Sequence, residues 1–515
     1  MSESVVDRVL AVLGSTLGTQ AITIVFTPLL VRLLGVGAYG EYAFILSVLS
    51  VSVVVVSAGT FDSARKFIAE QRETENWREH VFGFYARVVI VLGAIVGILF
   101  IVATQLGVVA LVLNPAYEPY FYVLALLVPL QAGFKLSRSV LMGLDLESSS
   151  EPLYVLQQLL FALLALTLVW LGWSVVGALI GRLLAYLCVV VFMLVFIWRK
   201  IDMSEVVKIA PASFPRRNLL SYNVLTVVFK LLVTSLYNVD IILLGLLVGS
   251  TATGSYRAAL VIAQFLWLIP TAVQVGLLHS TSRLWSDGEN ARISILSSRA
   301  ARFTLLFTLL LVLGVAALAE PLVSLYFGEG FSRTPETVLY LLPGVLGLAV
   351  ARPIFATSQG HGNLRPVLLA TGSAAILNVV LNLVLIPRYG VTGAAIATSA
   401  GYGSMVVFHI RAAQTLGFNP AADLRLSRTM ATAALTAIPI FGLSWLLEGI
   451  IQLIAVPPIG FVVYTILAFR THAIELSEVR PLVRSETIRT LGQVLPQQIV
   501  SLFQRSLEVA LGSRI

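Results

Sequence analysis

Apolar runs of about 20 residues recur from one end of this 515-residue chain to the other, and they restrict its fold more than any other feature. A helix rising 1.5 Å per residue needs about 20 residues to cross a hydrocarbon layer of about 30 Å, and within that layer each backbone polar group must be satisfied inside the helix. Such runs fall near residues 9–34, 41–60, 81–103, 118–137, 152–172 and 175–198, then near 220–248, 254–282, 300–320, 336–358, 363–386 and 390–413, with a final pair near 429–449 and 451–470. The chain reads as an all-α multispanning membrane protein with about fourteen transmembrane helices. Composition agrees, with 58% hydrophobic and 12% charged residues, about half the charge density of a soluble domain. That excludes an ordinary soluble enzyme. The single cysteine, Cys188, lies inside an apolar run, so neither an internal disulfide nor a thiolate metal cluster is expected, and no metal or cofactor is called for. The start, Met1-Ser2-Glu3-Ser4, is polar and acidic, and the run behind it has no small-residue cleavage site, so it reads as a retained helix.

Lysine and arginine set the orientation, because cytoplasmic loops keep positive charge during insertion. With the N-terminus inside, 26 of them fall on the cytoplasmic side, including Arg65, Lys66, Lys135, Arg138, Lys208, Arg216 and Arg217; only Arg32, Arg257, Arg333 and Arg388 fall outside. The expectation is a cell-membrane protein with both termini cytoplasmic, and the same bias accounts for the net charge of +8 without a nucleic-acid partner. In the tail, Ile488, Leu491, Leu495, Ile499, Leu502, Phe503 and Leu507 fall near helical spacing around Pro496, as expected of an interfacial amphipathic helix. The stretch Phe61 to His80 has the same mixed character.

The chain also repeats itself. Gly40-Glu41-Tyr42 and Gly254-Ser255-Tyr256 each open a helix, 214 residues apart; Val176-Gly177-Ala178 with Tyr186 matches Thr392-Gly393-Ala394 with Tyr402 at an offset of 216. Agreement within two residues, with six helices per unit, implies two parallel six-helix lobes related by a pseudo-two-fold axis along the membrane normal. The expected division is 1–200 for the first lobe, 201–218 for a cytoplasmic linker, 219–415 for the second lobe, 428–470 for a helix pair and 471–515 for the tail. Two facing lobes suit alternating access rather than a channel.

The stretch from Asn378 to Tyr402, NVVLNLVLIPRYGVTGAAIATSAGY, resembles the C-terminal signature of polysaccharide-export (Wzx-like) flippases in the multidrug/oligosaccharidyl-lipid/polysaccharide (MOP) exporter superfamily. Asp240 with the following IILLG, Gly254-Ser255-Tyr256-Arg257-Ala258, and LLGVGAYGEYAF at 33–44 resemble the seventh and eighth helices and the first hairpin of that family. The resemblance implies a transporter that moves polyprenyl-linked oligosaccharide from the cytoplasmic to the outer leaflet. Within the superfamily a peptidoglycan-precursor flippase of the MurJ type also has fourteen helices, whereas drug antiporters of the MATE branch usually have twelve.

Ionisable side chains inside spans are costly and are therefore functional candidates. A lipid carrier's phosphate must cross a low-dielectric layer while charged, and buried cations offset that cost. Lys230 lies about 15 Å into its predicted helix, and Arg182 and Arg352 are the further phosphate-binding candidates; Arg87 ranks lower because its loop is already basic. Asp240, roughly 15 Å beyond Lys230 on the same helix, is the ion-coupling candidate for Na⁺ or H⁺, with an ion pair to Arg257 as the alternative. Sugar contacts could come from Asn378, Asn382 and Gln264, and also Gln131, Asn223 and Gln274. Asn378 and Asn382, at i and i+4, serve equally as interhelical glue. Pro28, Pro270, Pro343 and Pro353 interrupt spans without marking any one hinge.

A membrane glycosyltransferase or polymerase would need a carboxylate on a sizeable outer loop. The longest outer loops offer only Glu118, Glu320, Glu329 and Glu336, and no HExxH, G-x-S-x-G or P-loop occurs. The reading is a transporter rather than an enzyme, with a lipid-linked oligosaccharide and the bilayer as partners.

Overall fold

The computed structural model describes residues 5–57, 59–70, 75–475 and 477–478, so the amphipathic helix expected at 488–507 lies outside the described residues. Every regular element among the described residues is helical. The chain forms two compact units, Met1–Arg257 with Asn382–Ala394, and Ala258–Leu381 with Ala395–Ile515.

The first unit runs through α1 (Val5–Ser57), α2 (Thr60–Ala69), α3 (Trp77–Gln105), α4 (Val108–Val112), α5 (Glu118–Gly143), α6 (Glu147–Leu168), α7 (Ser174–Trp198), α8 (Met203–Val207) and α9 (Arg216–Leu247). The division between units falls after Arg257 rather than in the basic loop at 201–218, because α9 packs on α1: a Cβ on Gly245 would run into the ring of Phe44. In that loop α8 is capped at both ends. The Asp202 carboxylate accepts from the Ser204 N–H at 2.9 Å, and hydrogen bonding from the Ser204 side chain, then from that N–H, holds its carboxyl below the usual range. At the other end Arg87 donates to the carbonyls of Val206, Val207 and Lys208 at 3.1–3.4 Å.

The second unit continues from α10 (Ser250–Phe265), whose first turns belong to the first unit, through α11 (Leu268–Ser286), α12 (Asn290–Phe327), α13 (Thr334–Gly360), α14 (Arg365–Thr415), α15 (Leu426–Leu446) and α16 (Gly449–Arg470). The last pair anchors on α12, where Tyr464 Oη donates to the Leu306 carbonyl at 2.8 Å and Ser444 Oγ to that of Ala317 at 2.7 Å. At one end of α12 the fully buried Arg302 donates to Asp423 at 3.0 Å and to Glu478, while Arg425 pairs with Asp423 and Glu475 at 2.9 Å each. These pairs tie the segment after α16 to α12.

Among the described residues ten helices are long and apolar enough to cross a membrane, or eleven if the bent pair Ser250–Phe265 and Leu268–Ser286 counts as one broken span. The number differs from fourteen because three continuous elements each hold two of the apolar runs. The helix α1 has 53 residues, α14 has 51, and α6 joins α7 through the turn Val169–Trp173. A straight helix of that length would measure about 75–80 Å, far more than a bilayer. Each is broken at one glycine, Gly35 (φ 73°), Gly172 (φ 90°) or Gly390 (φ 55°), in a backbone region that only glycine enters cheaply. The arms of α14 double back on each other. Thr371 Oγ1 lies 3.3 Å from His409 Nε2 and the Asn378 amide reaches the Ala397 carbonyl at 3.4 Å, although residues 371 and 409 would lie roughly 57 Å apart in a straight helix. The α6 and α7 arms do the same, with Gly177 seated on Leu168 and Gly181 on the backbone of Ala165. In α1 both arms converge on the neighbouring side chains Phe161 and Arg182, through Phe26 and Tyr42 respectively. Gly390→Ala is expected to cost about 1–3 kcal/mol through strain at φ 55°, ψ −127°, and a thermal-unfolding series in detergent checks it.

The glycines of the sequence repeat meet each other. A Cβ on Gly40 would strike the Ser250 carbonyl oxygen, and one on Gly254 would strike that of Val36. Since 36 and 250, like 40 and 254, are 214 apart, each half of the contact is the other half carried through the repeat offset. Facing outward are large apolar residues that a soluble protein would bury, such as Ile95, Ile98 and Leu99 of α3 and Ile438, Ile450 and Ile454 of α15 and α16. Their exposure marks a lipid-facing surface. Trp170 and Trp173 at one hairpin tip, Trp198 and Trp445 are exposed too, as interfacial aromatics are.

Candidate functional site

Charge concentrates in the first unit, on the helices that follow the α1 hairpin. Gly59, in the left-handed region (φ 75°), turns the chain from α1 into α2 and puts Phe61 and Asp62 in the first turn. Ser139 Oγ donates to the Phe61 carbonyl, which pins that turn to α5, while Trp77 Nε1 donates to the Phe67 carbonyl at 2.7 Å and holds the far end. Asp62 Oδ2 then lies 2.5 Å from Lys230 Nζ of α9. The Phe61 ring has two cations nearby, Lys230 Nζ at 5.8 Å from its centroid and the Arg138 guanidinium at 6.0 Å.

Arg138 itself is held by Glu151 of α6, with Arg138 Nη2 donating to the two carboxylate oxygens at 2.8 and 2.9 Å and Nε adding a bond at 3.1 Å. Its guanidinium stacks 4.1 Å from the Tyr154 centroid, and Ser15 Oγ also donates to Glu151. Lys135 stands one turn before Arg138 and Ser139 on the same face of α5. It has no carboxylate partner among the described residues, and its charge interacts with that of Lys230. From Tyr154 a line of rings runs through Phe134 (6.4 Å) to Tyr186 (5.0 Å), beside Arg182. Arg182 donates to Tyr42 Oη at 3.2 Å, lies 4.3 Å over the Phe161 ring, and leaves its buried Nε without a partner. Four cations, Lys135, Arg138, Arg182 and Lys230, thus share two carboxylates, Asp62 and Glu151. An excess of two positive charges lined by aromatic faces is suited to an anion, because immobile cations need no reorganisation to receive it.

In the second unit Arg352 of α13 donates to Gln274 Oε1 at 2.9 Å and lies 5.7 Å from the Trp267 centroid, and its buried Nε has no partner. This is a second, smaller cationic position with a neutral partner. Asp240 is fully buried and accepts from Tyr256 Oη at 2.5 Å, the residue beside the Arg257 that sequence offered as its counter-ion.

The sugar-contact candidates are placed unevenly. Asn378 is fully buried in the seam of the α14 hairpin, with its amide directed at Ala397 and Thr398, and Asn382 is fully buried as well. Those positions fit interhelical glue. Gln264, near the end of α10, is partly exposed, and Gln131 is partly buried with its Oε1 unpartnered. The side chain of Asn223 lies outside the described residues. The sequence singles out Lys230, Arg182 and Arg352 as candidates and passes over Lys135 and Arg138, which read as loop charges when the span is ended near 137. The helix runs on to Gly143, and the buried Val140-Leu141-Met142 after Arg138 was the available signal.

Residues 5–273 match the family described as "Polysaccharide biosynthesis protein", and residues 226–384 match the MatE family. The chain is 25% identical over 172 residues to the "probable low-salt glycan biosynthesis flippase Agl15" of Haloferax volcanii, covering 33% of this chain and 36% of that protein. It is 24% identical over 271 residues to an uncharacterized membrane protein of Methanocaldococcus jannaschii, covering 52% and 53%. The matches thus span between about a third and about half the length of these curated relatives. Its fold resembles that of the lipid II flippase MurJ in an inward closed conformation, with a TM-score of 0.71 at 14% identity over 92% of this chain and all of that one. It also resembles an inward-facing MATE-family multidrug resistance transporter of the MOP superfamily, with a TM-score of 0.65 at 15% identity over 77% and 94%. The match to residues 5–273 covers more than half of the chain, which therefore belongs to the polysaccharide biosynthesis protein family.

Proposed function

We propose that the protein flips polyprenyl-linked oligosaccharide or polysaccharide repeat units from the cytoplasmic to the outer leaflet by alternating access, binding its cargo without making or breaking a covalent bond. The observation that carries this reading is the cluster of Lys135, Arg138, Arg182 and Lys230, paired among the described residues with Asp62 and Glu151 alone, inside a helical membrane unit. Buried cations are costly in hydrocarbon, and an anionic phosphate that must cross it is the cargo that makes them useful. The flippase named among the relatives, and the MurJ-like fold, support the same reading. Each of the three hairpin elements crosses twice in this proposal. With the bent α10–α11 pair counted as one broken span, the total is fourteen crossings, an even number that leaves both termini cytoplasmic. The contact between Gly40 and Gly254, positions equivalent by the repeat offset, supports the internal duplication. Asp240 with Tyr256 is the position proposed for coupling to a proton or sodium gradient.

The test is reconstitution in vesicles with a fluorescent polyprenyl-diphosphate sugar, scoring leaflet transfer with and without each gradient. Lys230→Ala and Arg352→Ala are each expected to reduce transfer at least about tenfold while expression is maintained. Wild-type transfer by both variants would refute the cationic mechanism. Drug export is the second reading, favoured by the MatE match to residues 226–384. It predicts transport of organic cations by the same vesicles, a cargo for which an excess of cations is unsuited.

A further inference from the structure

The ion pair between Asp62 and Lys230 is unlike the pair between Glu151 and Arg138. Glu151 and Arg138 are mostly enclosed, with side-chain exposures of 1% and 20%, whereas Lys230 and Asp62 remain 34% and 44% exposed. The Lys230 pair is therefore open to an incoming anion, and the Arg138 pair is not. Asp62 is carried by α2, a ten-residue helix set off from α1 by the left-handed turn at Gly59. Lys135, a second ammonium without a carboxylate among the described residues, lies one turn before Arg138, whose guanidinium lies near the same Phe61 ring as Lys230.

Resting on the flippase reading above, we propose that Asp62 is a resident counter-ion that occupies Lys230 while the site is empty and is displaced by the phosphate headgroup of the lipid carrier, which Lys230 and Lys135 then hold together. With Asp62 released, the two ammonium groups present two positive charges, matched to a phosphate or diphosphate and in excess of what a single carboxylate needs. With the site empty, Asp62 removes one of those charges and limits the cost of an unsatisfied cation in a low-dielectric region. The Phe61 ring accompanies both states because it lies against Lys230 and Arg138 at once. An exposed pair is easily exchanged, since a half-solvated ion pair contributes little net stability. Asp62 is then a positioning residue that competes with the cargo.

The experiment measures binding of farnesyl diphosphate, farnesyl monophosphate and farnesol to the full chain in nanodiscs, by thermophoresis at fixed ionic strength. Wild type is expected to bind both phosphates and not farnesol. Asp62→Asn is expected to tighten phosphate binding roughly threefold to tenfold, the range set by relieving competition from an exposed pair. Lys230→Ala and Lys135→Ala are expected to weaken it. Asp62→Asn in the Lys230→Ala background is expected to give no tightening, because its effect passes through Lys230. The exchange D62K/K230D keeps the pair and serves as the variant that folds if the pair is needed for folding. Under the proposal it binds phosphate more weakly than wild type, because the cation is moved onto α2, and a structural role alone would leave binding unchanged. If Lys230-dependent phosphate binding is seen but Asp62→Asn fails to tighten it, the counter-ion role is overturned and the flippase reading stands. Failure of every variant to distinguish the phosphates from farnesol overturns both.

Discussion

Glu151→Ala is expected to lower the stability of the protein by about 3 kcal/mol, the lower end of the range for breaking a buried ion pair, because Arg138 retains some contact with solvent. The Arg138 guanidinium would keep the Tyr154 ring and lose three hydrogen bonds at 2.8–3.1 Å. It would also leave Arg138 without that partner one turn from Lys135, and Ser15 would lose one of its two acceptors, keeping the Val12 carbonyl at 3.0 Å. Replacing both partners with apolar residues of similar volume, R138M with E151L, is expected to regain most of that loss, since the cost lies in the unmatched charge rather than in the absence of a pair. Thermal and denaturant unfolding in detergent measures both. A loss below about 1 kcal/mol for Glu151→Ala would mean that Arg138 is hydrated in the folded state.

Valine at Gly40 or Gly254 is expected to destabilise the crossing of α1 and α10 by about 3 kcal/mol, at the upper end for overpacking, because what each new Cβ meets is backbone that no side-chain rotation can move away. The two contacts are reciprocal, so either substitution alone parts the same pair of helices. The double variant is therefore expected to cost well under the sum of the singles, and a double-mutant cycle on the unfolding midpoints reads that coupling. Additive effects would show that the two glycines act at independent crossings. Alanine should give the same pattern at smaller amplitude, since its methyl group is the very atom that meets Ser250 and Val36.

Much of this architecture was legible because a bilayer makes a simple demand. Twenty apolar residues in succession have few other destinations, so the runs, the repeat offset of 214–216 and the resemblance to flippases could all be read in one dimension. Lys230, Arg182 and Arg352 were legible for the same reason, as charges where charges are expensive. What escaped were residues whose meaning depends on a partner. Asp62 looked like part of an amphipathic surface stretch, and Lys135 and Arg138 like cytoplasmic loop charges. The Asn378 amide faces the Ala397 carbonyl, a partner 19 positions away that no local pattern names.

The sequence by itself determined that the chain is a many-helix membrane protein, internally repeated, with cations where a phosphate could use them, since hydropathy and periodicity are properties of short stretches. Only the tertiary structure decided which charges are already neutralised, that the long helices fold back at Gly172 and Gly390, and that Gly40 meets Gly254. Pairing between Asp62 and Lys230 joins residues 168 positions apart, and a distance in space between residues so separated is fixed by how the helices pack, not by any local pattern.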